Sequence, residues 1–157
     1  MAILIQSALE RASEIAIFAN RPASKEKAGT LIDRLKKHTD TRFTICSYED
    51  PELLRRHLKE SAVLVNATNI GMAGGPSPEG CLIPDASYFA EGLYVYDIIY
   101  HPAVTPLIAM ARRAGLDCDS GLSMLIGQGE AGFKIWTGRD MPLKEVTETV
   151  QSLFQEA

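Results

Sequence analysis

The stretch Leu93–Gly138, LYVYDIIYHPAVTPLIAMARRAGLDCDSGLSMLIGQGEAGFKIWTG, decides how the 157-residue chain is read. Leu93, Val95, Ile98 and Ile99 open it as a short run rich in Tyr and Val, which predicts a buried strand because no helical stripe fits. The strand is expected to stop at Tyr100-His101-Pro102. Pro102 has no N–H for a sheet ladder and disfavours helix at His101, so the chain turns there, with Asp97 and Tyr100 near the strand's carboxyl end. In an open α/β sheet, ligands bind at that end. Thr105 then reads as an N-cap and Pro106 as the first helical residue, with Leu107, Ile108, Met110 and Ala111 as the apolar face and Gly115 as the stop. A short extended piece is predicted at Leu116–Cys118. After Ser120-Gly121 a second helix carries Leu122, Met124, Leu125 and Ile126, and with them Gln128, the one long amide among small or apolar neighbours. That amide reads either as a group for a polyhydroxylated or carboxylated ligand or as the partner of a buried backbone group.

Gly127-Gln128-Gly129-Glu130-Ala131-Gly132 matches G-x-G-x-x-G to the letter. Its context is wrong for a dinucleotide fingerprint, because a helical run precedes it and no βαβ unit with an acidic residue follows. It is read as helix, with its glycines allowing close packing.

Upstream, Ala2–Ala12 is an apolar helical pattern with no cap, in which Ile3, Leu4, Ile5, Ala8 and Leu9 supply the stripe. Ile15–Ala19 reads as a strand, Asn20-Arg21-Pro22 as the turn after it, and Ala28–Lys37 as the completion of the next helix, with Leu31, Ile32 and Leu35 inward. Phe43–Ser47 is the next strand, and Pro51–Leu58 a helix with Leu53, Leu54 and Leu58 as its stripe. Ala62–Val65 is an apolar run of the kind found in a central parallel strand. It delivers Asn66-Ala67-Thr68-Asn69-Ile70-Gly71-Met72, where polar side chains at a strand end suit a ligand, or else form an ordinary Asx-type turn. Met72–Pro84 is a Gly- and Pro-rich connection without a core pattern. Leu143–Phe154 is an amphipathic helix folded back on the rest. Such alternation predicts an α/β fold: a Rossmann-like, mostly parallel sheet with helices on both faces. A nucleotide-binding unit begins with a strand and a glycine-rich turn. Here the pattern starts at a helix, so the first strand and its glycine-rich loop are expected to lie outside these residues.

The chain is 46% hydrophobic and 23% charged with a net charge of −4, enough for one sizeable core and unsuited to nucleic acid or an anionic membrane as the main partner. No apolar run approaches a membrane span and no basic leader precedes a cleavage site, so a cytoplasmic location is expected. Cys46, Cys81 and Cys118 stand far apart, and His38, His57 and His101 share no ligand spacing, so no metal is expected.

Two runs, D-I-I-Y-H-P-A-V-T-P-L at Asp97–Leu107 and G-L-S-M-L-I-G-Q-G-E-A-G-F-K-I-W-T-G at Gly121–Gly138, resemble the carboxyl-terminal part of the shikimate dehydrogenase family, including its quinate/shikimate branch. The family pattern is D-x-x-Y-x-P-x-x-T-x-L followed by G-x-x-M-L-x-x-Q-x-x-x-x-F-x-x-W-T-G. The resemblance implies residues 1–157 as a truncated NAD(P)-binding domain whose last part, 121–157, is helical, with an amino-terminal substrate domain not included. It implies an NADP-linked, NAD-tolerant oxidoreductase of aromatic amino acid biosynthesis, interconverting shikimate and 3-dehydroshikimate or quinate and 3-dehydroquinate. Asn20, Arg21, Ser24 and Lys25 match the family's N-R-T-x-S-R/K turn around the 2′-phosphate of NADP. Pro22 departs from the usual Thr, and Ala23 stands where an Asp suited to NAD can occur, which favours NADP. Without the resemblance this is equally a solvated basic turn that caps the next helix through Ser24. Thr68, Ile98, Gly121 and Met124 match positions around the cofactor, and Tyr100 and Gln128 positions that bond the substrate. The family's Lys and Asp for proton transfer lie in the part not included, so no catalytic residue is assigned here. The alternative is a non-catalytic nucleotide-binding or assembly module, paired with a separate substrate domain or forming a homodimer through an exposed sheet edge.

Overall fold

The computed structural model describes residues 2–155, apart from the side chains of residues 2–4, 9 and 155. Met1, the last two residues of the expected 1–157 domain and the inward stripe assigned to Ile3, Leu4 and Leu9 therefore lie outside the described residues. The elements run α1 (Ala2–Leu9), β1 (Glu14–Phe18), α2 (Pro22–Leu35), β2 (Arg42–Cys46), α3 (Pro51–Glu60), β3 (Val63–Asn66), β4 (Tyr94–Asp97), α4 (Pro106–Arg113), β5 (Cys118–Ser120), α5 (Gly121–Thr137) and α6 (Leu143–Gln155), with one 3-10 turn at Ala86–Tyr88. The order is the one the hydrophobic periods predict.

Two compact units divide the chain, residues 1–57 and 58–157. In the first, β1 pairs parallel with β2 from Glu14↔Arg42 to Phe18↔Cys46. Its core joins Ala8, Leu31 and Leu35, with Ile5, Ile15 and Phe43 against them. Leu31, Ile32 and Leu35 of α2 face inward as their spacing requires. Asn20 is committed within this unit, its Oδ1 accepting from Tyr48 N at 2.8 Å and Ser47 Oγ at 3.2 Å.

In the second unit β4 lies between β3 and β5, all parallel, with Asn66↔Asp97 and Asp97↔Ser120 in register. Val95, Ile108 and Ala111 are completely buried, and Leu93, Ile83 and Leu107 nearly so. The parallel α/β class holds, but among the described residues the strands pair in two sheets instead of one. Among the described residues β3 is bonded to β4 alone, and Val63 is 53% exposed.

Local signals account for the other departures. β4 ends at Asp97, not at Tyr100, because the Asp97 carboxylate accepts the Ile99 amide at 3.0 Å and bends the chain before Pro102 is reached. The His101–Pro102 peptide is cis. Leu116 belongs to the end of α4, its amide donating to Ala111 O at 3.0 Å past Gly115 at φ 73°, so β5 begins at Cys118 rather than Leu116. Ile83, 2% exposed, anchors a connection that shows no core pattern in sequence. Among the described residues no helix is long and apolar enough to cross a membrane.

Candidate functional site

The carboxyl ends of β3 and β4 are tied together by a buried carboxylate. Asp97 is fully buried; its Oδ1 and Oδ2 each accept from Asn66 Nδ2 at 3.1 Å, and Oδ2 also accepts from Thr105 Oγ1 at 2.7 Å. A buried charge is tolerable only with such a set of donors. Asn66 in turn organises the turn after β3, its Oδ1 accepting from Thr68 N at 3.0 Å and Thr68 Oγ1 at 2.8 Å. The Asx-type turn is thus real, and it holds Thr68 at the rim of a cavity. Thr105 caps α4 as expected, accepting the Ile108 amide at 3.3 Å.

Thr68, Met72, Ala73, Ile98, Ile99, Tyr100, His101 and Phe154 line that cavity, about 510 Å³ in volume. It brings Thr68, Ile98 and Tyr100 together. Gly121 joins them from behind: a Cβ there would lie 2.0 Å from the carbonyl oxygen of Ile98, and its amide donates to Ile99 O at 3.0 Å. Only glycine lets α5 begin so close to the strand-end backbone. Met124, half-buried on α5, and Gln128, exposed on the same helix, are not among the lining residues. Gln128 has no partner among the described residues, so the buried-backbone reading of its amide is set aside. The glycines of the G-x-G-x-x-G run lie inside α5, as expected, but a Cβ at Gly127 or Gly129 would meet nothing within 4 Å, so close packing does not explain them.

Phe154, Met72 and His101 are lining residues that sequence reasoning did not single out. Phe154 gives no signal because it comes from α6, far along the chain; its ring meets that of Tyr100 at 6.0 Å and 84°. His101 stood in the quoted motif and could have been found as the polar residue beside Tyr100. Burial pushes the Cys81 thiol up from its ordinary value, and the Asp97 charge adds to that against a backbone hydrogen bond from Ile83. Among the described residues no group of three or more His, Cys, Asp or Glu is placed to hold a metal.

In the first unit, Asn20, Arg21, Ser24 and Lys25 gather where β1 passes into α2. The connection between β1 and α2 is the three residues Ala19, Asn20 and Arg21, shorter than the Asn20–Lys25 run: Pro22 already occupies the first helical turn, and Arg21 is the N-cap without a side-chain cap bond. Ser24 is therefore helical and does not cap α2, because Pro22 fixes the helical φ two residues earlier. The result is a helix N-terminus flanked by exposed Arg21 and half-exposed Lys25. Amide groups at the positive end of the helix dipole, a hydroxyl and two cations suit a phosphate.

The family profile for the Shikimate 5'-dehydrogenase C-terminal domain matches residues 121–151. A shikimate dehydrogenase (NADP(+)) of Streptococcus pneumoniae (strain JJA) is 37% identical over 153 residues, which is 98% of this chain and 52% of that protein. The shikimate 5-dehydrogenase of Listeria monocytogenes, solved in complex with shikimate and NAD, is 34% identical with a TM-score of 0.86 over 95% of this chain and 51% of its own. The ligand-free 5-ketofructose reductase of Gluconobacter sp. strain CHM43 is 27% identical, with a TM-score of 0.77 over 98% of this chain and 52% of its own. The chain spans about half the length of the curated relatives it matches. In sequence and fold it is similar to the carboxyl-terminal half of shikimate dehydrogenases.

Proposed function

We propose, from that match to the shikimate dehydrogenase family, that this chain is the cofactor-binding half of an NADP-dependent oxidoreductase acting on shikimate or, as in the quinate branch, on quinate. The observation that carries the proposal is the cavity of about 510 Å³ whose wall includes Thr68, Ile98 and Tyr100. The strand pairing supports the domain assignment. β1 pairs parallel with β2, and β3 with β4 and β5, as the mostly parallel sheet of such a domain requires.

The residues fit NADP chemically. Arg21 presents a planar guanidinium fork to a 2′-phosphate, Lys25 a second cation, and Ser24 a hydroxyl, while Asn20 Oδ1 fixes the backbone from which Arg21 projects. Thr68, Ile98, Gly121 and Met124 are assigned to the nicotinamide end: Ile98 supplies an apolar wall, and Gly121 offers backbone within reach because it has no Cβ. When bound, the nicotinamide supplies the hydride chemistry. Tyr100 and Gln128 are assigned to substrate oxygens, Tyr100 from the cavity wall and Gln128 from the exposed face of α5. Asp97 is fully engaged within the protein and Asp119 accepts the Ser120 amide, so neither is offered as a proton-transfer group. Among the described residues no lysine or carboxylate lines the cavity, and proton transfer is assigned to no residue of this chain.

Calorimetric titration of the purified chain with NADP and, separately, NAD tests this reading. NADP is expected to bind more tightly, and Arg21→Ala to remove about tenfold of that preference, the value of one charge-assisted contact. A preference unchanged by Arg21→Ala would overturn it. The 157 residues by themselves are expected to give no turnover of shikimate, and measurable turnover would overturn the division of labour.

A further inference from the structure

We infer that His101 is a ligand-reading, specificity-determining residue of the cavity, its imidazole Nδ1 hydrogen-bonding an oxygen or amide carried on a six-membered ring beside Tyr100. The inference rests on the reading above and adds a residue to which the family pattern gives no role, since D-x-x-Y-x-P leaves this position open. A position free to vary inside a binding cavity is where related proteins can differ in the ligand they choose.

Three observations carry it. His101 lines the cavity, yet its Nδ1 is sealed from solvent and has no hydrogen-bond partner among the described residues. Buried polar atoms in folded proteins are nearly always partnered, and a ring nitrogen is always either a donor or an acceptor, so an unmatched one on a cavity wall is poised for a ligand. The imidazole is carried on anchored backbone: the carbonyl of His101 accepts the Ala73 amide at 3.1 Å. Opposite it stands a flat ring already. Phe154 lies 5.7 Å from the imidazole, tilted by 56°, and meets Tyr100 edge-on. Phe154 is carried by α6, in which no described residue is fully buried, so the helix is held by less packing than the strands beneath it. A planar ligand ring that displaces Phe154 reaches both Tyr100 and the unmatched nitrogen.

Two ring ligands share this chemistry, the nicotinamide carboxamide and a cyclic hydroxy acid. Long-range proton–nitrogen spectra of the full nitrogen-15-labelled chain separate them, with the His101 signals assigned by their loss in His101→Asn. The chain is titrated with NADP alone, shikimate alone, and both together. Saturable movement of the His101 nitrogens, with His38 and His57 unmoved, is expected; movement with NADP alone assigns the carboxamide, and movement that needs shikimate assigns the acid. His101 nitrogens that stay fixed in all three titrations would overturn the inference. NADP failing to bind would sink the proposed function, while the shikimate titration still decides His101 in either direction. Phe154→Ala is expected to tighten the ligand that moves His101 by about threefold, as removal of a competing cover should. Unchanged affinity would overturn the covering role of Phe154.

Discussion

The hydroxyl of Thr105 donates to Asp97 Oδ2 at 2.7 Å while accepting the amide of Ile108 at 3.3 Å. One buried oxygen thus couples the end of β4 to the first turn of α4. Through Asp97 and Asn66 the same network reaches the turn that carries Thr68. The polar side of the cavity and the start of the helix behind it are positioned together.

Thr105→Val keeps the shape of that side chain and removes its hydroxyl. Loss of the cap and of a donor to a buried carboxylate is expected to destabilise the protein by about 2–4 kcal/mol, whereas Thr105→Ser should retain most of the stability. Urea midpoints of the two variants check this. Equal midpoints for Thr105→Val and Thr105→Ser would show that the network contributes nothing.

Gly121 and Gly127 sit in the same helix and should respond oppositely to alanine. A Cβ at Gly121 collides with the Ile98 carbonyl, which is backbone and cannot rotate away, so Gly121→Ala is expected to cost about 3 kcal/mol or more and to weaken NADP binding as the strand end shifts. A Cβ at Gly127 meets open space, and Gly127→Ala should be neutral or stabilise the helix by up to about 1 kcal/mol. Thermal unfolding of both variants is the measurement, and a Gly121→Ala protein as stable as the parent would contradict the close approach.

Alkaline stability follows from four acids held above their ordinary values. Burial pushes up the thiols of Cys46 and Cys81 from 9.0 and the phenols of Tyr48 and Tyr94 from 10.0; neighbouring carboxylates add to the rise at both thiols and at Tyr94. Below these values both folded and unfolded chains keep the protons, and nothing changes with pH. Above them the unfolded chain releases protons that the folded chain retains, so it binds fewer, and stability falls as pH rises. Urea midpoints should therefore decline from near pH 9 upward, and Cys81→Ala should make the decline shallower. A midpoint that rises across that range would contradict the upward shift of these groups.

Sequence alone determined the order of elements, because each depends on neighbours within a few residues: a continuous apolar run at Ala62–Val65, period 3.6 in Leu31, Ile32 and Leu35, Thr105-Pro106 at a helix start and Gly115 past a helix end. The family resemblance assigned Thr68, Ile98, Gly121 and Met124 to the cofactor and Tyr100 and Gln128 to the substrate, and of these Thr68, Ile98 and Tyr100 line one cavity. Helix starts were less legible. The Asn20–Lys25 run reads as a turn by composition, but Pro22 is as well suited to a first helical position as to a loop, and the helical arrangement won.

Only the tertiary structure decided what depends on contacts distant in sequence. It seated Phe154 of α6 against Tyr100 and His101 of the β4–α4 connection, placed β4 between β3 and β5, and buried Asp97 among donors from two other segments. No local pattern encodes these facts, because each arises when separate elements compete for the same space, and a side chain's partner there can be any residue that packing brings within reach. His101 shows the difference most plainly. Its place in the motif was visible in the sequence, while its unmatched nitrogen and the ring packed beside it from the far end of the chain were not.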